Sequence, residues 1–209
     1  MNINELLGEI QKTDESDKIS YSAGVIMGQS LKDIGFDEIQ YDDYVEGMKS
    51  VFNDSEPKIS KKRAIEIFQN YVVLLQEDLK DKNAELGKAF LEKNAKKPGI
   101  ISLPNGMQYE VLQDGKGEIP TESSIVKVIY EGSLIDKTLF DSTQDTGPLE
   151  LEVSKTILGW QDALQMMPVG SRWKLFIPHH LAYGEFGAQP MIQPNSTIIF
   201  LIELLEIVN

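Results

Sequence analysis

The sequence contains no cysteine, and it has few cationic residues for its length. Over 209 residues, 20 lysines and arginines stand against 33 aspartates and glutamates, which gives a formal net charge of -13. The absence of cysteine excludes disulfides, thiol nucleophiles and cysteine-ligated zinc, and it is compatible with a reducing compartment. Because a negative surface repels phosphate groups, we expect neither nucleic acid nor an anionic membrane as a partner.

Long apolar runs are also missing. Short apolar runs such as residues 23–27 are far shorter than the roughly 20 residues that a membrane-spanning helix needs. Residues 1–18 carry acidic side chains, whereas an export signal has a basic region followed by an apolar core. We therefore expect no membrane insertion and no export signal, and a cytoplasmic location provided that no signal has been removed.

Proline is scarce in the first half of the chain. Only Pro57 precedes Pro98, and both tryptophans also lie in the second half. The first part instead carries lysine, glutamate, leucine and isoleucine at helical spacings. This change of composition predicts a boundary near residues 97–99.

Three helices are predicted before that boundary. Two short ones cover residues 19–34, closed by Gly35, and residues 41–52. Ser60 is suited to cap a third, which meets no helix breaker before Pro98 and would be roughly 55 Å long. Its second half has only a thin apolar stripe among charges, which we interpret as a solvated stalk.

The helical part is too small to build a strong core alone, since segments below about 80 residues rarely do. Dimerisation would bury apolar side chains such as Val25, Ile26, Leu31, Val51 and Phe52. The alternative is a monomeric helical hairpin packed on the second part. We expect a helical dimerisation segment at 1–60, a connecting helix at 61–98 and a second domain at 99–209.

The second domain reads as a sheet with one helix. Asn105 and Gly106 form a hairpin turn signal between residues 100–103 and 107–112. Residues 126–130, 173–177 and 197–207 are further strands, the last nearly continuous in apolar character. Residues 159–165 form a short amphipathic helix. This pattern predicts the α+β class.

Few residues are suited to covalent or metal chemistry. His179 and His180 are the only histidines, and in an extended segment they would point to opposite sides, so no metal site is expected. No nucleophile elbow or phosphate-binding glycine loop is present, and no cofactor is expected. What remains is an aromatic and aliphatic set that is either core or a binding pocket: Tyr130, Phe140, Ile157, Trp160, Tyr183, Ile192 and Phe200.

Six ordered motifs resemble one family. They are V-x-V-x-Y-x-G at 126–132, L-F-D-S-T at 139–143, I-L-G-W at 157–160, M-P-V-G-S at 167–171, L-A-Y-G at 181–184, and the closing F-L-I-E-L-L-E-I. In this order and spacing they resemble an FKBP-type peptidyl-prolyl isomerase. The helical front and the join K-N-A-K-K-P-G resemble the two-domain bacterial subgroup of macrophage infectivity potentiators and their cytoplasmic relatives, which dimerise through the helices.

The resemblance implies a helical dimerisation domain with a long stalk helix, followed by a half-open antiparallel sheet wrapped on a short helix. Trp160 would form the floor of a proline-binding pocket. The Ile157 amide and the Tyr183 hydroxyl would bind substrate carbonyls, and Asp141 would lie near the rotating bond. The implied walls are Tyr130, Phe140, Leu149, Ile157, Ile192 and Phe200, and the catalytic group comprises Asp141, Tyr183, Trp160 and Phe140.

The implied activity is rotation of X-Pro bonds in unfolded or nascent polypeptides, without cofactor or metal, together with chaperone activity. Macrolides of the tacrolimus and rapamycin type would bind the same pocket. Several relatives carry an arginine where Thr146 or Gly147 stands here, and a second proline where Gln193 stands, so the support of Asp141 and the substrate preference are expected to differ. The alternatives are a holdase-like binding module with little isomerase activity, and a scaffold that functions through its helices.

Overall fold

The computed structural model describes residues 16–208. Much of the stretch from which we expect no export signal, residues 1–18, therefore lies outside the described residues. The helices are α1 (Ser16–Asp33), α2 (Tyr41–Phe52), α3 (Lys61–Asn94) and α4 (Leu158–Leu164). The strands are β1 (Ile100–Ser102), β2 (Gln108–Gln113), β3 (Ile125–Leu134), β4 (Leu139–Ser142), β5 (Leu149–Glu152), β6 (Arg172–Ile177) and β7 (Ile198–Ile207). Single 3-10 turns cover Val153–Lys155 and His179–Leu181.

The chain divides into two compact units, with the boundary in the sequence between Gln76 and Glu77. In the first, α1 ends before Gly35, which has a φ of 100°, and the Ser60 hydroxyl accepts from the Arg63 amide at 3.3 Å to cap α3. Both signals were readable in the sequence. The ring of Phe36 lies 5.7 Å from that of Phe68, which fixes the loop after α1 on the start of α3.

The described part of the first unit, residues 16–76, has little core of its own. Neither α1 nor α2, both within the described residues, contains a buried side chain. Large apolar side chains are exposed instead, among them Tyr21 at 76%, Val51 at 74% and Phe52 at 82%. So much exposed apolar surface is unusual for a monomer.

The second unit is built on one antiparallel sheet. Its strand order is β1-β2-β6-β7-β3-β4, and β5 pairs with β3. The long strands β3 and β7 pair over nearly their whole length, with Gly132 opposite Phe200. Helix α4 packs on the sheet through Trp160, Ala163 and Leu164, which belong to the main core cluster. The predicted α+β fold is confirmed.

The long helix is also confirmed, but its second half is not solvated on every side. Gly87 and Asn94 are buried. The Asn94 side-chain amide donates to Gln108 Oε1 at 3.0 Å, and the Gln108 amide donates to the Leu91 carbonyl at 2.9 Å. These contacts place the second half of α3 in the same compact unit as the sheet, whereas the division at 60 and 98 stays a prediction.

The expectation that His179 and His180 lie in an extended segment was wrong. They lie in the 3-10 turn His179–Leu181, and their ring centroids are 5.6 Å apart. Within residues 16–208, no group of three or more acidic or histidine side chains is arranged to hold a metal ion. No helix in the same range combines the length and apolarity needed to cross a bilayer.

Candidate active site

Three aromatic rings from separate elements meet over α4. Trp160 lies on α4, Tyr130 on β3 and Phe200 on β7. The ring centroid of Trp160 is 5.1 Å from that of Tyr130 and 5.0 Å from that of Phe200, and both pairs meet edge to face. Such contacts fix the ring orientations. Trp160 and Phe200 are 5% and 3% exposed, so they form the base of the cluster.

Two further aromatic residues extend this cluster toward solvent. The Phe140 ring on β4 lies 5.7 Å from Phe200 and 6.4 Å from Tyr183, again edge to face. Gly132 makes this packing possible, because a Cβ there would lie 2.7 Å from both phenylalanine rings. The sequence motif Y-x-G contains this glycine, and its position two residues after Tyr130 on the same face of β3 is a signal that sequence reasoning left unused.

Tyr130 and Asp141 are joined directly. The Tyr130 hydroxyl donates to Asp141 Oδ2 at 2.6 Å, and the Asp141 side chain is exposed at the rim of the cluster. Burial, followed by the hydrogen bond to Asp141, raises the pKa of Tyr130 above its ordinary value of 10.0, so the hydroxyl remains a donor at neutral pH. Within the described residues, no ion pair of Asp141 is formed.

Thr143 fixes the backbone beneath this pair, and sequence reasoning assigned it no role. Its hydroxyl oxygen accepts from the Tyr130 amide at 2.9 Å, and its own amide donates to the Tyr130 carbonyl at 3.0 Å. Thr143 is 5% exposed. It therefore holds the chain after β4, which carries Asp141, against β3.

Hydrogen-bond donors without protein partners lie beside the rings. Ile157 precedes α4 with φ -62° and ψ 151°, and its carbonyl accepts from the Trp160 amide at 2.9 Å. Its own amide meets no acceptor in the described part of the chain. The buried Trp160 Nε1 has no partner either. Burial, and then the charge of Asp141, raise the pKa of the Tyr183 hydroxyl, which keeps it protonated.

The last two predicted wall residues differ in their placement. Ile192 is 3% exposed and belongs to the core cluster. It pairs with Ala188 through two backbone hydrogen bonds of 2.8 and 2.9 Å. Leu149 is 44% exposed at the start of β5, opposite Val128, and its role as a wall stays a prediction.

The cluster is suited to binding an apolar ring and a polar backbone together. It offers aromatic edges, unused amide and hydroxyl donors and one carboxylate, without a nucleophile that a base activates. Such a site favours a reaction in which no covalent bond to the protein forms, and rotation about an amide bond is one of this kind. The fold and site thus define an α+β protein with a partly exposed aromatic cluster suited to non-covalent chemistry.

Two family models match the chain. Residues 116–205 match the FKBP-type peptidyl-prolyl cis-trans isomerase, and residues 16–111 match the domain amino terminal to it. The chain belongs to the FKBP-type peptidyl-prolyl cis-trans isomerases, as the sequence motifs indicated, and it is a peptidyl-prolyl isomerase.

Individual relatives agree over nearly the full chain. The FKBP-type 22 kDa peptidyl-prolyl cis-trans isomerase of Escherichia coli is 40% identical over 193 residues, which are 90% of this chain and 93% of the relative. The outer membrane protein MIP of Legionella longbeachae is 38% identical, with 93% and 87% covered. The crystal structure of FkpA from Escherichia coli superposes with a TM-score of 0.74 at 32% identity, covering 94% of this chain and 97% of that one.

Proposed function

We propose that the aromatic cluster around Trp160 is the pocket in which this isomerase binds proline and accelerates X-Pro rotation in folding polypeptides. The observation that carries the proposal is the meeting of Tyr130, Trp160 and Phe200 from three elements, with Asp141 held at their rim. The Ile157 amide, which has no acceptor among the described residues, supports the proposal further because it supplies a donor for a substrate carbonyl.

The uncatalysed barrier of about 20 kcal/mol comes from amide resonance, which rotation must break. The pyrrolidine ring packs on Trp160, between Phe140 and Phe200. The twisted amide has lost resonance charge separation, so it loses less hydration in an apolar pocket than the planar ground state does. Donors from Ile157 and Tyr183 bind the flanking carbonyls and fix the substrate backbone while one side of the bond turns.

Asp141 is assigned to the rotating bond. Its carboxylate lies at the exposed rim, where the Tyr130 hydroxyl orients it. In the twisted state the proline nitrogen becomes pyramidal and its lone pair localises, and the carbonyl carbon becomes more electrophilic. The negative charge of a carboxylate held beside that carbonyl carbon stabilises this change of charge.

The test is a cis/trans assay on a short X-Pro peptide at micromolar enzyme. We expect a clear acceleration over the uncatalysed rate, and reduced acceleration in Asp141→Leu and Tyr183→Phe. An unchanged rate in both variants contradicts the assignment of the pocket.

Chaperone activity and homodimerisation are further proposals. The exposed apolar side chains of α1 and α2, including Ile26 at 65% and Phe52 at 82%, support association of two copies through the helical unit. Sedimentation at micromolar concentration tests this association, and a monomer contradicts it.

Variants of the pocket separate the isomerase from the holdase alternative. If the protein acts as a holdase, these variants still suppress client aggregation. If it acts as an isomerase, proline-limited refolding is slower with these variants.

Inhibition and location are also proposed. We expect the apolar pocket to bind tacrolimus-like macrolides tightly. A titration that follows Trp160 fluorescence tests this expectation, and the absence of quenching would contradict it.

A cytoplasmic location is tested by fractionating cells that produce the untagged chain. The Legionella longbeachae relative is named as an outer membrane protein, so recovery of this chain in the envelope fraction would overturn the proposed location.

A further inference from the structure

The substrate loop, residues 185–194, joins two of the proposed pocket walls. It begins directly after Tyr183 and Gly184, and it carries Ile192 near its end. Its two ends are brought together because the Asn195 amide donates to the Gly184 carbonyl at 2.9 Å. The positions of Tyr183 and Ile192 relative to Trp160 therefore depend on how this loop is held.

One end of the substrate loop is fixed to α3. The Asn83 side-chain amide donates to the Pro194 carbonyl at 2.9 Å. The Asn195 side-chain amide donates in the other direction, to the Lys80 carbonyl of α3, at 3.2 Å. Asn195 has a φ of 55°, a left-handed conformation that asparagine tolerates better than most residues. These two side-chain amides cross-link the second end of the loop to one turn of the helix.

The other end of the substrate loop reaches the same turn of α3. Lys80 Nζ lies 3.7 Å from Glu185 Oε2 and 5.8 Å from the ring centroid of Phe186. Glu185 and Phe186 are 63% and 77% exposed, so each of these contacts alone is weak. Both ends of the loop nevertheless meet the helix at Lys80 and Asn83, which are three residues apart on one face.

The helix is a firm support because it is anchored to the sheet domain independently of the loop. Gly87 packs so closely on the Thr197 side chain that a Cβ would collide with it. Further along, Asn94 and Gln108 form the buried hydrogen-bonded pair described above, and the Phe90 ring lies 6.0 Å from that of Phe176. The contacts at both ends of the loop therefore hold it against a helix that is itself fixed to the sheet domain.

From this arrangement we propose that Lys80 and Asn83 are positioning residues, which hold the substrate loop in its binding conformation and thereby set the affinity for the polypeptide substrate. The inference rests on the proposed pocket, because the loop matters only if Tyr183 and Ile192 line it. If the loop is already ordered before the substrate binds, the entropic cost of ordering the loop does not reduce the free energy of binding. Loosening the loop weakens ground-state and transition-state binding alike, which raises KM and leaves kcat nearly unchanged.

The experiment uses two substitutions in the full chain. Asn83→Asp keeps the size of the side chain and removes the donor to Pro194, and Lys80→Met keeps the apolar stem and removes the charge. Lys82→Met, at an exposed position of the same helix, is the matched control. We expect KM for a cis X-Pro tetrapeptide to rise about 2- to 10-fold in each test variant, as for the loss of one hydrogen bond or ion pair.

Two further readouts separate positioning from general destabilisation. The kcat value and the thermal midpoint are expected to stay close to those of the parent chain, and the backbone amide signals of Ala188 and Ile192 are expected to shift in NMR spectra of the test variants. Unchanged KM in both variants overturns the proposal. A fall in kcat that follows a lowered thermal midpoint overturns it too, since the residues would then be merely structural.

Failure of the pocket itself would look different. Trp160→Phe is measured beside the two variants. If it leaves kcat and KM unchanged, the pocket assignment fails, and the loop inference fails with it. If Trp160→Phe is impaired while Asn83→Asp and Lys80→Met behave as the control, only the positioning role is overturned.

Discussion

The Tyr130 hydroxyl and the Asp141 carboxylate form a 2.6 Å hydrogen bond across neighbouring strands. This is the short distance typical of a hydroxyl that donates to an ionised carboxylate. The sequence resemblance implies that several relatives carry an arginine where Thr146 or Gly147 stands here, and Gly147 adopts a φ of 83° in a turn. A neutral donor thus orients Asp141, and no cation among residues 16–208 forms an ion pair with it.

Removing that donor tests its importance. Tyr130→Phe keeps the ring packed on Trp160 and leaves Asp141 without its hydrogen bond. Because hydrogen bonds to charged groups contribute about 1.5–3 kcal/mol, we expect kcat/KM in the peptide assay to fall by roughly tenfold or more. Tyr109→Phe is the matched control, since Tyr109 stacks on Trp173 at 4.4 Å. Equal kcat/KM in Tyr130→Phe and the parent chain would show that Asp141 needs no orientation.

Alkaline pH should destabilise the folded chain through two tyrosines. Burial first, and then Asp141, raise the pKa of Tyr130 and of Tyr183 above 10.0. Their contribution to stability is fully present below pH 10 and is lost as the pH rises toward the folded-state pKa, because the unfolded chain ionises first. We expect the free energy of unfolding, measured in urea, to fall above about pH 10.

Phenylalanine substitutions isolate this effect from other groups that titrate in the same range. Tyr130→Phe and Tyr183→Phe should each make the decline above pH 10 shallower. Tyr41→Phe, at a side chain that is 77% exposed, should leave it unchanged. The cause is misassigned if all three variants decline as steeply as the parent chain.

The two tryptophans provide a matched pair for the pocket. Trp160 and Trp173 are each 5% exposed, but only Trp160 lies beside Tyr130 and Phe200. Replacing either by phenylalanine leaves a cavity, and we expect both changes to cost about 1–3 kcal/mol of stability. Only Trp160→Phe is expected to reduce kcat/KM, by roughly tenfold. Parallel losses of activity in both variants would mean that stability, and not pocket shape, limits the assay.

The sequence predicted the helices and longer strands because their signals are local. Ser60 and Gly35 mark helix ends by chemistry that acts within one turn, and β7 is apolar over most of its length. The strands β4 and β5, with four residues each, are too short for alternation to show. The contact between Tyr130 and Phe200 depends on strand register across some 70 residues of chain, which no local pattern specifies.

The docking of α3 was missed for a different reason. Asn94 and Gln108 are polar, and polar residues are mostly exposed, so the charged tail of the helix reads as solvated. The structure buries them at 1% and 5% exposure because the Asn94 amide donates to Gln108 and the Gln108 amide donates to the Leu91 carbonyl. Gly87 reads as a weak point of the helix, whereas it is the place where Thr197 approaches most closely. Such pairing is visible only once the fold brings the partners together.

Gly87 gives a prediction opposite to the usual effect of alanine. In an exposed helix, glycine to alanine adds up to about 1 kcal/mol of stability. At Gly87 the new methyl group would collide with the buried Thr197 side chain, and we expect a loss of about 1–3 kcal/mol. Gly47→Ala on α2, where nothing among residues 16–208 lies within 4 Å of the added Cβ, is the control and should stabilise.

Thermal or urea unfolding measures both variants. Thr197→Ala in the Gly87→Ala background should recover part of the lost stability, because it removes the colliding group. If Gly87→Ala were as stable as the parent chain, the close approach of α3 to Thr197 would not be present in solution.

Truncation tests how far the folded isomerase unit extends. A chain that begins at Gly99 lacks Phe90, the Leu91 carbonyl and Asn94. It therefore exposes Phe176, now 4% exposed, and loses both side-chain hydrogen bonds of Gln108. A chain that begins at Glu77 keeps all of these contacts. We expect the shorter chain to melt at least about 5 °C lower, since the lost contacts amount to one or more kcal/mol.

The same two chains separate stability from catalysis. The chain from Glu77 also keeps Lys80 and Asn83, so its kcat and KM for a tetrapeptide should match those of the full chain. The chain from Gly99 should show a raised KM even well below its melting temperature.

A Gln108→Leu substitution should affect the stability of the two chains differently. In the Gly99 chain it removes a polar group that has already lost its partners, so it should have little effect. In the Glu77 chain it removes the acceptor of Asn94, so it should destabilise the fold. Equal melting temperatures for the two truncated chains would mean that the second half of α3 is not part of the folded isomerase unit.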